Sequence, residues 1–118
     1  MKVIDLDTLR PEPQIVKIGG REIDVSFVPC GITFELDDIV QQLVKLDAKK
    51  VQGDREEMRR AFGLGVKLCA IFCEHKYPDM NEAWFLENCQ PDQINGFTGA
   101  VQAALVRSYQ GVGDHAKN

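Results

Sequence analysis

The apolar positions of this chain change period soon after residue 28. Over Arg21 to Val28, Ile23, Val25 and Phe27 alternate with Glu22, Asp24 and Ser26, which predicts a strand with one apolar and one wet face. Ile15-Val16-Lys17-Ile18 predicts its partner, and Gly19-Gly20 supplies the positive φ angles of a two-residue hairpin turn. Pro29-Cys30-Gly31 ends the hairpin. Ahead of it, Met1 to Gln14 carries Val3, Ile4, Leu6 and Leu9 without a sustained period. Pro11-Glu12-Pro13 cannot propagate a helix, so this part reads as an extended or mobile arm.

Beyond Gly31 the period is helical. Leu36, Ile39, Val40 and Leu43, widened by Val44 and Leu46, make one stripe at about 100° per residue. They predict a first helix from about Thr33 to Lys49, with Thr33 as N-cap and Glu35, Asp37 and Asp38 complementing the helix dipole. Gln52-Gly53 breaks it. A second helix starts at the cap Asp54, with Glu57 in capping-box position, and runs to about Lys76, stopping before Pro78. Asp79 and Glu82 repeat the device for a third helix through Ala83-Trp84-Phe85-Leu86. Pro91 opens a fourth, striped by Ile94, Phe97, Val101 and Leu105, and Gly111 to Asn118 reads as a flexible tail. The expectation is a single α+β domain over 1–118, predominantly helical, with an N-terminal β-hairpin (15–28) and a bundle of about four helices (33–109).

The second helix is apolar over an unusually wide arc. Met58, Ala61, Phe62, Gly65, Cys69 and Phe72 form one seam, and Leu64, Leu68 and Ile71 form another on its flank. Such a helix is either central in its domain or offers the second seam to a partner. Leu64, Leu68 and Ile71 are therefore candidate partner-binding residues. Trp84 and Phe85 join them, since aromatics anchor interfaces as well as close cores. Gly63 and Gly65 cost helix propensity, about 1 kcal/mol each relative to Ala, which points to close helix approach.

Composition narrows the chemistry. The 118 residues are 44% hydrophobic and 27% charged, suited to one globular core, and the net charge of −4 argues against nucleic acid. The charges in Asp54-Arg55-Glu56-Glu57-Met58-Arg59-Arg60 read as a solvated helix face. No export signal and no apolar run near the ~20 residues of a membrane span is evident, so a soluble cytoplasmic protein is expected. The four cysteines, Cys30, Cys69, Cys73 and Cys89, then read as reduced thiols in small apolar roles. Cys69 and Cys73 share a helix face, but His75 projects roughly 120–160° away from them. A structural zinc site would need further convergent ligands. Gly63-Leu64-Gly65 lies inside a helix with no strand before it, unlike a phosphate-cradling turn. No catalytic, cofactor or metal residue is assigned, and the chain is expected not to be an enzyme.

In order and hydrophobic spacing the chain resembles the tail assembly chaperones of long-tailed phages and prophages. The likeness rests on the hairpin Ile15-Val16-Lys17-Ile18-Gly19-Gly20-Arg21-Glu22-Ile23, on Thr33-Phe34-Glu35-Leu36, and on Trp84-Phe85-Leu86-Glu87-Asn88-Cys89-Gln90-Pro91-Asp92-Gln93-Ile94 leading into the last helix. It spans roughly Ile15 to Tyr109. The cysteines, and Gly63 and Gly65 in the second helix, have no match in the family pattern. The resemblance implies a non-enzymatic protein of the bacterial host cytoplasm that binds the helical tape-measure protein during tail morphogenesis. The tail-tube protein is a further candidate partner, and self-association into a homo-oligomer is implied too. It also implies a longer product made by ribosomal frameshifting, for which Ala116-Lys117-Asn118 is a sequence that slippery codons can encode. A small helical adaptor unrelated to phage is the alternative.

Overall fold

In a computed structural model, residues 2–46 and 54–117 are described, residues 109–117 by backbone alone. Two antiparallel strands, β1 (Ile15–Ile18) and β2 (Arg21–Asp24), precede four helices, α1 (Cys30–Lys45), α2 (Arg55–Glu74), α3 (Glu82–Asn88) and α4 (Pro91–Lys117). The fold is α+β and mostly helical. Gly19 and Gly20 turn the hairpin with φ of 56° and 81°, values that favour glycine. The register pairs Val16 with Ile23 and Ile18 with Arg21, and Ile18, Ile23 and Val25 face the core.

β2 ends four residues before the expected Val28, for a local reason. Asp24 Oδ1 accepts from the Ser26 N–H (2.9 Å), the Ser26 hydroxyl (2.6 Å) and the Gln14 N–H (3.3 Å). This side-chain turn draws the chain out of the ladder, buries Ser26 and leaves Phe27 outward under the Arg10 guanidinium, 4.1 Å away. The N-terminal arm also has local structure. Asp5 caps a single 3-10 turn over Leu6–Leu9 by accepting from the Asp7 N–H.

α1 begins three residues earlier than Thr33. Pro29 takes the N-cap position in extended conformation, and the Thr33 hydroxyl instead bonds back to the Pro29 carbonyl from inside the helix (2.9 Å). Its Ile32, Leu36 and Ile39 are buried, whereas Val44 is exposed. The expected continuation to Lys49 and the break at Gln52-Gly53 lie outside the described residues, as does Asn118. α2 starts as expected, Asp54 accepting from the N–H groups of Glu56 and Glu57, and ends at Glu74. α3 is capped by Asn81, which accepts from the Trp84 N–H at 2.9 Å. The expected cap Asp79 is engaged elsewhere, in an ion pair with Arg21. Pro91 opens α4, and the helix continues past Gly111 to Lys117 where a flexible tail was expected.

α2 is the centre of the domain. α1 packs on one side, α4 on the other, and α3 against its later turns. That position explains the wide apolar arc, because a helix with neighbours on several sides must be apolar on each. Gly65 permits the close approach to α4: a Cβ there would lie 3.2 Å from Thr98 Oγ1 and 3.5 Å from Ile94 Cγ2. Gly63 faces open space.

Candidate partner-binding surface

The second seam is not spare. Leu68 is wholly buried at 0% exposure, and Leu64 and Ile71 are half-buried against the core. Leu68 is thus corrected from a partner-binding to a core residue, since the neighbours of α2 already occupy that face. Phe85 is corrected in the same way. It is fully buried, with its ring 6.2 Å from Phe97 and 4.9 Å from Trp84. Phe72 adds an edge contact to Phe97 at 5.9 Å.

Trp84 is half-buried and clamps the hairpin to α3. A Cβ at Gly19 would lie 2.5 Å from its ring, and the Arg21 guanidinium sits 5.3 Å from the ring centroid. Arg21 also forms a two-pronged pair with Asp79, one prong at 3.0 Å. The hydrogen bond between them raises the Arg21 pKa and holds the Asp79 carboxyl below its ordinary range. The geometry assigns Trp84 a packing role before any interface role.

The cysteines follow burial. Cys69 lies between α2 and α4, with its sulfur 3.6 Å from Thr98 Oγ1 and 3.9 Å from the Ile94 carbonyl oxygen. Burial pushes both Cys69 and Cys73 thiols up to about 12, which keeps them protonated and unreactive. His75 is exposed. Among the described residues no group of three or more His, Cys, Asp or Glu side chains is placed to hold a metal ion. No buried side-chain polar atom there lacks a hydrogen-bond partner. The buried hydroxyls of Ser26 and Thr98 are taken up by Asp24 and Cys69.

An apolar surface lies open at the other end of α2, on the first seam. An open groove of about 530 Å³ runs between the last turns of α1 and the first turns of α2 and α4. Leu43, Met58, Ala61, Phe62 and Pro91 give it an apolar lining. Met58 is 52% exposed although it belongs to the core-facing seam by spacing, and Phe62 and Leu43 are half-buried. Among the described residues that line it, Arg55 and Arg59 are the charged ones, so this part of the rim is basic. Sequence reasoning named Met58 and Phe62 but placed them on the core side. Periodicity identifies a seam without saying how far along it the neighbouring helices reach.

Compared with known protein families, curated proteins and solved structures, the chain matches none. Among the described residues no helix is long and apolar enough to cross a membrane.

Proposed function

We propose that this chain is a non-enzymatic binding protein that holds an apolar helical segment of a partner in the Leu43–Met58–Phe62 groove. The partner is the tape-measure protein of a phage or prophage tail, held in the host cytoplasm until tube subunits assemble around it. The observation that carries the reading is the groove itself. Its apolar walls come from three helices, each of which also contributes buried side chains to the core. A groove of this size and lining suits the anchor residues of an amphipathic helix, read as side chains three and four apart. The basic rim favours a helix that carries acidic residues beside its apolar stripe. The chaperone identity within that class comes from the order of hairpin, helices and Trp84-to-Ile94 segment.

Co-expression with a phage tape-measure protein tests the reading. The wild-type chain should co-purify with the tape measure and keep it soluble. Met58→Glu should abolish both effects while its far-ultraviolet circular dichroism stays unchanged, because Met58 is exposed. Equal binding by the wild type and Met58→Glu would overturn the groove. Binding of unrelated amphipathic helices as tightly as the tape measure would replace the chaperone with a general adaptor.

A further inference from the structure

The groove and the N-terminal arm are complementary in two respects. The arm carries Val3, Ile4 and Leu6 at 79%, 76% and 68% exposure, an unusual density of large apolar side chains left in water. Asp5 and Asp7 lie between and beside them, with Lys2 ahead of Val3, while the groove is apolar with Arg55 and Arg59 at its rim. The arm's apolar side chains thus match the groove in polarity, and the carboxylates of Asp5 and Asp7 match its basic rim. The arm's root is fixed to its own chain away from the groove. The Gln14 carbonyl accepts from the Val25 N–H at 2.9 Å, Arg107 donates to Gln14 Oε1 at 3.1 Å, and Arg10 covers Phe27. Leu6 and Leu9 line a hollow of the same chain with Phe27, Val28 and Ala104, which lies along the later turns of α4. The groove uses α4's first turns, Pro91 to Thr98. From Thr98 to Arg107 is nine residues, about 14 Å at 1.5 Å per residue, so anchored root and groove are well separated along one helix.

We infer that the arm of one copy seats Val3 and Ile4 in the Leu43–Met58–Phe62 groove of a second copy, and that the exchange is reciprocal. A two-fold pair then covers both arms and both grooves with a single kind of contact. The inference rests on the groove being a docking surface, and it adds a regulatory consequence. Arm and helical client compete for one groove, so the free protein is capped by its own kind and client binding releases the cap.

Sedimentation of the full chain tests the pairing without any client. The wild type should associate, and Ile4→Glu and Met58→Glu should each weaken association at least tenfold with unchanged circular dichroism. A cross-link then assigns the contact. In a Cys30→Ser, Cys89→Ala background, chains bearing Ile4→Cys and differently tagged chains bearing Met58→Cys should form a mixed disulfide on mild oxidation. A monomeric wild type at 100 μM, association insensitive to Ile4→Glu, or absence of the mixed disulfide would each overturn the exchange. A monomeric doubly substituted chain that closes an internal 4–58 disulfide would overturn it as well, by placing the arm in its own groove. Client binding separates the two readings. A monomeric wild type that still loses its client through Met58→Glu ends the arm exchange and keeps the groove.

Discussion

The two ends of α2 are built differently. At its C-terminal end the hairpin, the Tyr77–Met80 turn and α3 close over the helix. Gly19 lies against Trp84, Arg21 grips Asp79, and Met80 and Phe85 are wholly buried. At its N-terminal end the apolar seam continues through Phe62 to Met58, but there it borders an open groove. One seam is therefore closed at one end and open at the other. Where the seam is covered by its neighbours, the residues specify the fold. Where apolar groups remain open beside a basic rim, the proposed function places recognition.

The largest effect expected at the closed side is that of Leu68. Leu68→Ala should cost about 2–5 kcal/mol in urea unfolding, as for other buried leucines. Leu68→Glu should fail to fold, and a well-folded, stable Leu68→Glu chain would return the second seam to the surface. Next comes the turn. Gly19→Ala meets both a left-handed φ and the Trp84 ring, whereas Gly20→Ala meets only the φ, which costs about 1–2 kcal/mol. Gly19→Ala should be clearly the more destabilising in thermal melts. Equal effects would mean that Trp84 does not clamp the hairpin.

Acid should loosen the hairpin before it reaches the helices. Burial works against the Asp24 charge, but the bonds from Ser26 and Gln14 outweigh it and hold its carboxyl below the ordinary 3.8. A depressed folded pKa contributes stability that is fully present above the unfolded value and is lost as pH falls through the folded one. The thermal midpoint should therefore drop below about pH 4, and Asp24→Asn should flatten that drop. A midpoint that rises on acidification would contradict the assignment. Thiol chemistry gives a milder probe. Cys30 is exposed and should react at once with a disulfide reagent, and half-buried Cys89 more slowly. Cys69 and Cys73 should react only on unfolding. The smallest structural effect belongs to the open end, where Met58→Glu should change stability by less than about 0.5 kcal/mol. A large loss there would make Met58 part of the core.

Much of this architecture was legible in residue order. The Gly19-Gly20 turn, the Asp54 cap and Pro91 as a helix opener depend on chemistry within a few residues, and each is where its local signal put it. The failures share a cause in partners beyond the local segment. Asp79 looks like a cap, but Arg21, distant in sequence, takes its carboxylate and Asn81 caps instead. Alternation continues through Phe27 and overstates β2, whereas Asp24 ends the strand by accepting from Ser26 and Gln14. The candidate surface was harder still. Spacing showed that α2 is apolar all along two seams, yet only tertiary packing decides that Leu68 is covered and Met58 is not.

Amide hydrogen exchange of the chain, free and saturated with a helical tape-measure segment, tests the division between the two ends most directly. Protection gained on binding should concentrate in the first turns of α2, Arg55 to Gly65, and of α4, Pro91 to Thr98, with the hairpin and α3 unchanged. New protection confined to the hairpin and α3, with the start of α2 unaffected, would contradict it.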